Sequence, residues 1–282
     1  MLSILFGIAS ALSWGAADFA GAIAARKLSV YRVVFYSNFL GLLALLVSLA
    51  IYPETIPEAQ SIILAGVAGV FGSISLLVLF YSMASGQISI AAPVSALFAA
   101  ALPVFVGIYT QGPPAPIQFI GFGLALLAVW LISQGEQQRL HIDRLFNLIL
   151  PLLAGCGFGS YFIFMHYAVI GMSSSIWPMI ASYSTGTLMT LVLVVARRET
   201  FIVKPDAWIV IAVNVVCNIG GNLFYILALK SGRLDISAVL SSLYPGGTVI
   251  LARLILKERI SFRQWIGIIA SLIAIILFTA GR

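Results

Sequence analysis

Charged residues are scarce in this chain: they make up 9% of its 282 amino acids, whereas hydrophobic residues make up 61%. A soluble globular domain has about 25% charged residues, and no soluble fold of this length could bury so much apolar surface. The composition therefore excludes a soluble protein. The net charge of +6 does not indicate nucleic-acid binding, because the basic residues flank apolar runs, where membrane topology accounts for them.

Cysteines and catalytic motifs are also few. Cys156 and Cys217 fall inside apolar runs without redox or metal-ligand spacing, which predicts small core residues. The sequence has no H-E-x-x-H, no G-x-S-x-G, no P-loop and no aspartate-rich diphosphate motif. We therefore expect no cofactor or metal, and an intramembrane enzyme is the weaker functional alternative. Residues 1–24 lack a basic start and a cleavage site, so we expect this run to stay in the membrane.

Apolar runs of membrane-spanning length fill most of the chain. A spanning helix needs about 20 apolar residues, and a helix satisfies its own backbone polar groups in lipid. The alternating pattern of barrel strands is absent. The sequence therefore predicts an all-α integral membrane protein with ten transmembrane helices. The ten predicted spans are 2–24, 30–51, 60–85, 88–110, 116–134, 147–168, 173–196, 206–229, 235–256 and 263–280.

Two 48-residue stretches, 86–133 and 232–279, align without a gap at an offset of 146 residues. Eleven of the aligned positions are identical, including Gly86/Gly232, Ser95/Ser241, Gln118/Gln264, Ile120/Ile266 and Gly121/Gly267. We therefore divide the chain into a first repeat (1–134), a polar cytoplasmic connector (135–146) and a second repeat (147–282). Each repeat has five spans, an odd number, so the second repeat is predicted to be inverted in the membrane relative to the first.

The distribution of lysine and arginine predicts the orientation. The face that holds the odd-numbered loops carries eleven of them: Arg26, Lys27, Arg32, Arg139, Arg144, Arg197, Arg198, Lys204, Lys257, Arg259 and Arg263. The other face carries three: Lys230, Arg233 and Arg282. The positive-inside rule places the first face in the cytoplasm. We therefore expect a plasma or inner membrane protein with both termini extracytoplasmic.

Three short motifs of the chain are informative about its family. They are Trp14-Gly15 in span one, the S-S-L-Y-P run at Ser241–Pro245, and Lys257-Glu258-Arg259-Ile260-Ser261 followed by Gln264-Trp265-Ile266-Gly267. With these motifs the chain resembles the drug/metabolite transporter superfamily, in particular its EamA-type ten-helix permeases. The resemblance implies a transporter whose cavity is lined by spans one, three, four, six, eight and nine. The first repeat departs from the pattern, with Gly112 opposite Glu258 and Ala99 opposite Pro245.

Asp18 is the one acidic residue well inside a span. A charge at the centre of a membrane helix costs about 2.5–3.5 kcal/mol. Asp18 therefore either lines the pathway, where it would hold a cationic group or a coupling proton, or pairs with Arg26, Arg253 or a backbone amide. Trp14 lies one turn earlier on the same face, where its ring would stack on a substrate.

Span eight carries three asparagines four residues apart, Asn214, Asn218 and Asn222, and Tyr225 continues close to the same face. Unpaired amides are costly in lipid, so this stripe must face protein or water. Two interpretations are open. The stripe lines a substrate cavity, or it hydrogen-bonds neighbouring helices, which contributes about 0.6 kcal/mol per contact on average.

Further polar residues complete the candidate site. His166 is a candidate for proton coupling, or else a satisfied residue near the membrane surface. Pro245 and Gly246 are expected to break span nine, as in the broken helices at transporter sites, or to form a packing kink. The other cavity candidates are Tyr81, Ser95, Tyr161, Ser241 and Tyr244.

These observations favour a secondary transporter that moves small organic metabolites, with export of amino acids or related compounds as the family-level expectation. The mechanism would be alternating access at a cavity between the inverted repeats. A membrane channel or facilitator is the second alternative. The expected partners are a small-molecule substrate and the lipid bilayer, with no nucleic acid, and we expect a monomer.

Overall fold

The computed structural model describes residues 1–82, 88–132, 146–203, 205–255 and 261–280. The connector (apart from Phe146), Gly86, Lys204, Arg282 and the Lys257–Ile260 motif lie outside these residues. Eleven helices account for nearly all of the described chain. They are α1 (Leu2–Ala25), α2 (Val30–Ile51), α3 (Ala59–Ser82), α4 (Ile88–Gln111), α5 (Pro116–Ile132), α6 (Phe146–Val169), α7 (Ile176–Ala196), α8 (Pro205–Ser231), α9 (Leu234–Ser241), α10 (Tyr244–Ile255) and α11 (Phe262–Ala280).

The helices follow the predicted spans closely. Nine of the ten spans each correspond to one helix, whose ends lie within three residues of the prediction. In the described part of the chain, six helices are long and apolar enough to cross a membrane: α1, α2, α3, α6, α7 and α8. Shorter apolar helices lie within α4, α5 and α11. The fold is therefore that of an all-helical, multi-pass membrane protein.

The ninth span, 235–256, forms two helices rather than one. The break was predicted at Pro245 and Gly246, but α9 ends at Ser241 and α10 begins at Tyr244. Proline cannot donate to the carbonyl four residues earlier, and its ring clashes with that carbonyl. For Pro245 that residue is Ser241, which is where α9 ends. Pro245 itself lies in the first turn of α10, where proline is well tolerated.

Most helices have their principal neighbours in the other half of the chain. The extensive contacts are those of α1 with α8, α3 with α6, α4 with α6, α3 and α2 with α7, and α5 with α11. Helix α1 also packs along α9 and α10. In the two repeats, α1, α2, α3 and α5 correspond to α6, α7, α8 and α11. If each helix is replaced by its equivalent, the α1–α8 pair becomes the α6–α3 pair, and the α2–α7 and α5–α11 pairs stay the same. The two halves therefore pack with an approximate twofold relation.

Glycines at matching positions support this relation. A Cβ on Gly15 of α1 would lie 2.7 Å from the Tyr244 carbonyl oxygen, and one on Gly159 of α6 would lie 3.3 Å from the Phe98 carbonyl oxygen. Phe98 and Tyr244 are themselves equivalent at the 146-residue offset. Small residues let membrane helices approach closely. Each repeat thus uses a glycine in its first helix to pack against the fourth span of the other repeat.

The repeated glutamine also has a structural reason. The Gln118 side-chain oxygen accepts a hydrogen bond from the Ala115 amide at 3.1 Å, and that of Gln264 accepts one from the Ser261 amide at 2.8 Å. Both glutamines lie three residues after the cap of the last helix in their repeat. This is one half of a capping box, which satisfies a free amide at the helix start.

Loop contacts define two ends of the helix bundle. At one end, which we call the basic end, the start of α2 meets the loop after α7. Arg32 donates to the carbonyl oxygens of Thr200 and Ile202 at 3.2 and 3.1 Å. Arg32 also pairs with Glu199 at 3.3 Å. The end of α1, the start of α2 and the end of α7 therefore lie together.

At the opposite end, the loop after α2 meets the start of α7. The Glu54 carboxylate accepts hydrogen bonds from the Ser174 hydroxyl and the Ile176 amide at 2.6 and 2.9 Å. The last turn of α8 reaches the same place, because the Lys230 ammonium donates to the Ser174 carbonyl oxygen at 2.5 Å. The start of α1 belongs to this end too, since the Ser3 and Ser237 hydroxyl oxygens are 3.3 Å apart.

Candidate functional site

A cavity lies between the two halves, about halfway along the helices. Trp14 and Asn218, which both line it, lie close to the middle of α1 and α8. Its volume is about 70 Å³, several times the roughly 10–15 Å³ that one water molecule requires. The lining residues are Trp14, Asp18, Asn38, Gly69, Gly72, Ser73, Leu76, Phe158, Tyr161, Phe162, Ser182, Tyr183, Asn218, Asn222 and Tyr244.

The carboxyl group of Asp18 faces this cavity. Among the described side chains it makes neither a hydrogen bond nor an ion pair. Two of the partners expected for Asp18 were the basic side chains of Arg26 and Arg253. A pair with Arg26 is not seen, and Arg26 is exposed at the basic end. The side chain of Arg253 is not described. Placing a carboxyl group without a partner at this depth is costly, which favours a functional role.

Aromatic rings form one wall of the cavity. The Trp14 ring stacks on Phe162, with centroids 5.6 Å apart and planes at 22°, and meets Tyr161 edge-on at 6.4 Å. Tyr225 lies behind this wall, with no exposed surface, and its ring is 5.6 Å from that of Trp14. The predicted cavity residue Tyr225 therefore supports the aromatic wall without lining the cavity.

A hydrogen-bonded network of tyrosines and asparagines, which begins at Tyr161, forms the polar wall of the cavity. The Tyr161 hydroxyl donates to the Asn222 side-chain oxygen. Asn222 Nδ2 donates to Asn218 Oδ1 at 2.7 Å, and the Tyr183 hydroxyl donates to the same oxygen at 2.8 Å. Within the described residues, the Asn218 side chain accepts hydrogen bonds and donates none. Its amide hydrogens are thus available to a bound molecule.

The asparagine stripe of α8 serves two purposes. Asn218 and Asn222 line the cavity, whereas Asn214 is 3% exposed and donates to the Ala17 carbonyl oxygen at 2.8 Å. The three asparagines therefore do not share one environment. Asn214 joins α8 to α1, and the two asparagines further along face the cavity.

Spans two and seven contribute residues that were not among the sequence candidates. Asn38 Nδ2 of α2 donates to the Ser73 hydroxyl of α3 at 3.1 Å, and both line the cavity. Ser182 and Tyr183 of α7 line it too. The resemblance had implied that spans two and seven lie outside the lining. An isolated asparagine in the apolar span two was the available signal, since such an amide needs a polar partner.

The other candidate residues lie away from the cavity. Tyr81 is 57% exposed on the bundle surface, and Ser95 and Ser241 are fully buried between helices. Pro245 and Gly246 form the start of α10 next to Tyr244, which does line the cavity. The fourth span of the second repeat, formed by α9 and α10, therefore contributes one described residue to the lining, Tyr244.

His166 lies near the opposite end of the bundle rather than in the cavity. It is 5% exposed, and its Nε2 accepts a hydrogen bond from the Gln111 amide at 3.0 Å. The Gln111 oxygen accepts from the Leu234 amide at 3.2 Å, which fixes the orientation of the glutamine. This places His166 in a contact between α6, α4 and α9, where its Nδ1 is buried without a hydrogen-bond partner among the described residues.

Comparison with known proteins agrees with this architecture. A protein of known crystal structure shares the fold with a TM-score of 0.80 at 12% identity, over 99% of this chain and 96% of that one. An uncharacterized protein of Methanocaldococcus jannaschii is 28% identical over 134 residues, which are 47% of this chain and 95% of that protein. Residues 1–134 and 145–280 match the profile of the EamA-like transporter family. The family that the sequence motifs predicted is confirmed: this chain belongs to the EamA-like transporter family.

Proposed function

We propose that the protein is a carrier for small organic metabolites that works by alternating access at the cavity between its halves. The observation that carries the proposal is the cavity itself, which lies at mid-depth and is lined by polar residues of both halves. Binding sites of carriers lie at this depth, at the interface between repeats. Residues of one chain supply the whole described lining of the cavity, and we propose a monomeric carrier.

The directions of the helices support an inverted repeat. Ser3, at the start of α1, contacts Ser237 at the opposite end of the bundle. His166, in the last turn of α6, contacts Gln111 at that same end. Helices α1 and α6 begin the two repeats, so equivalent helices run in opposite directions. Inverted repeats of this kind let one half rock against the other and expose a fixed site to each side in turn.

We propose that the basic end faces the cytoplasm and that both termini are outside. The described part of that end carries Arg26, Lys27, Arg32, Arg197 and Arg198, and basic residues near short loops favour the cytoplasmic side.

Cysteine labelling in intact cells would test this orientation in a Cys156→Ser, Cys217→Ser background. A cysteine at exposed Ile56 should react with an impermeant maleimide, and one at Arg198 should react only after permeabilisation. The reverse pattern would refute this orientation.

Counter-transport in liposomes tests the carrier proposal. A thermal-shift panel of amino acids and amines first identifies compounds that stabilise the purified protein, and a radiolabelled hit is then used for flux. A carrier gives saturable uptake that unlabelled solute on the far side accelerates. Uptake that rises linearly with concentration, without acceleration, would instead favour the channel alternative. The described lining of the cavity has a single carboxyl group, and this does not support the enzyme alternative.

Proton coupling is proposed at Asp18, because its carboxyl group faces the cavity and His166 does not. Flux through the wild-type carrier should depend on pH, and Asp18→Asn should abolish that dependence while leaving membrane insertion intact. The amide has the same shape as the carboxyl group but cannot release a proton. Measurement of flux from pH 5 to pH 8 with Glu58→Gln as the control decides the point. Unchanged pH dependence in Asp18→Asn would remove this residue from the coupling role.

A further inference from the structure

We propose that the cavity selects organic cations, specifically amines that carry an apolar group and no carboxylate. This inference rests on the proposed function and gives it a substrate class. It departs from the expectation of amino-acid export. The arguments come from the charge in the cavity and from the chemistry of its walls.

The cavity has an acidic group and no basic one. Asp18 is the one side chain of the described lining that carries a formal charge, and no lysine, arginine or histidine is present there. The remaining titratable groups in that lining are the phenols of Tyr161, Tyr183 and Tyr244. A protonated amine would pair with the Asp18 carboxylate. A carboxylate on the substrate would meet a like charge without any described counter-ion to compensate it.

Aromatic side chains of the lining add a second source of attraction for a cation. Six aromatic residues line the cavity: Trp14, Phe158, Tyr161, Phe162, Tyr183 and Tyr244. A cation within about 6 Å of a ring centroid is attracted to the negative face of the ring, and tryptophan is the strongest of the three ring types. Trp14 lies one turn from Asp18 on the same helix. Carboxyl group and ring therefore border the same space from one face of α1.

The polar wall suits an uncharged part of the substrate. Asn218 keeps its amide hydrogens available, and its oxygen already accepts hydrogen bonds from Tyr183 and Asn222. A neutral donor of this kind binds a hydroxyl or carbonyl oxygen, but it does not compensate a full negative charge as an arginine would. The wall thus permits polar substituents without favouring anions.

Four compounds with one phenyl ring separate the effect of charge from that of shape. Phenethylamine is a cation, phenylalanine a zwitterion, 3-phenylpropionate an anion and 2-phenylethanol neutral. Titration calorimetry on the purified full-length protein at pH 7 would measure the affinity of each. We expect phenethylamine to bind at least about tenfold more tightly than the other three. The carboxylate of phenylalanine would meet the like charge of Asp18, and the other two compounds have no ammonium group to pair with it.

Two variants assign the selectivity to its source. Asp18→Asn should reduce phenethylamine affinity by about tenfold or more and bring it close to that of 2-phenylethanol. Glu58→Gln removes one negative charge from an exposed position near the start of α3 and should leave all four affinities unchanged. Melting temperatures in detergent check that both variants fold.

The outcomes separate this inference from the carrier proposal. Binding of phenylalanine or 3-phenylpropionate at least as tight as that of phenethylamine would overturn the cation selectivity. An unchanged preference in Asp18→Asn would overturn it as well, and so would the absence of phenethylamine binding at about 10 mM. In each of these cases, saturable counter-transport of any other solute would leave the carrier proposal intact.

Discussion

Two asparagines one turn apart on α8 show how the site is built at the scale of single residues. Asn214 donates to a carbonyl oxygen of α1 and is buried, and Asn218 faces the cavity. Their side chains are identical, and they differ in what surrounds them. The difference gives a matched pair of substitutions on one helix.

We predict that Asn218→Leu weakens substrate binding more than it lowers the melting temperature, and that Asn214→Leu does the opposite. Loss of the cavity amide should reduce affinity by about fivefold, because one hydrogen bond is worth roughly 1 kcal/mol. Loss of the α8–α1 hydrogen bond should destabilise the fold by about 0.6 kcal/mol or more. Calorimetry and thermal denaturation of both variants check this. An equal effect of the two substitutions on affinity would contradict it.

The sequence predicted the asparagine stripe but could not assign a role to each of its members. Helical periodicity places Asn214, Asn218 and Asn222 on one face. The partner of Asn214 is Ala17, which lies 197 residues away in the chain. Assigning the roles therefore required the packing of α1 on α8. Tyr183 was not among the sequence candidates for the same reason. Its position in the cavity depends on the packing of α7 against α2 and α3.

At the scale of elements, the start of α7 depends on a residue of the other repeat. The Glu54 carboxylate accepts hydrogen bonds from the amides of Ser175 and Ile176 at 3.2 and 2.9 Å. A helix start has free amides and a partial positive charge, so a carboxylate stabilises it. Partial burial by itself would raise the pKa of Glu54. The hydrogen bonds from Ser174, Ile176 and Ser175 and the charge of Lys230 together lower that pKa below its ordinary value.

A group whose pKa is lower in the folded state stabilises the fold above its unfolded pKa, and this stability is lost as the pH falls through the folded value. For glutamate the unfolded value is about 4.3. We predict that the melting temperature of the wild type falls as the pH drops below this value. At pH 7, Glu54→Gln should reduce the free energy of unfolding by about 1 kcal/mol and so lower the melting temperature. At acid pH, the melting temperature of this variant should fall less steeply than that of the wild type.

Glu58→Gln, which removes a neighbouring exposed carboxylate, is the control for Glu54→Gln. Its melting curve should follow the wild type from pH 7 down to the acid range. If Glu54→Gln and the wild type lose stability in parallel on acidification, the cap does not stabilise α7 as inferred. Differential scanning fluorimetry in detergent is sufficient for the comparison.

Close approach of helices gives a second prediction at this scale. A Cβ on Gly15 would meet the Tyr244 oxygen at 2.7 Å and the Gly247 Cα at 2.9 Å, and both are backbone atoms that cannot move aside. Gly123 of α5 has nothing within 4 Å of such a Cβ. We predict that Gly15→Ala destabilises the fold by about 1–3 kcal/mol. Gly123→Ala should be neutral or stabilising by up to about 1 kcal/mol.

Melting temperatures of the two alanine variants check the prediction for Gly15. A Gly15→Ala protein as stable as Gly123→Ala would mean that α1 and α10 are less closely packed than described. In the sequence, Trp14-Gly15 aligns with Phe158-Gly159 at an offset of 144 residues. This alignment could not indicate that both glycines contact the fourth span of the other repeat, because that follows from the pairing of the halves.

At the scale of the whole molecule, the helix bundle is held together mainly between its halves. Helices α1, α2, α3 and α4 make more extensive contacts with the second half than with one another. The succession of apolar helices and the two-repeat organisation were predictable from hydropathy and the fixed 146-residue offset. The pairing was not, because all spans are similarly apolar and hydrophobicity in lipid does not select a neighbour.

This pairing predicts that the two halves associate when they are made as separate chains. We expect residues 1–134 and 145–282, co-expressed with a tag on one half only, to co-purify and to bind substrate like the intact protein. Each half expressed alone should be unstable, because α1 would lack α8, and α6 would lack α3. Introducing Gly15→Ala into the first half should reduce co-purification, since that glycine packs against α10 of the second. Stable, monomeric halves that do not associate would show that each repeat folds on contacts within itself, and the twofold pairing described above would then be wrong.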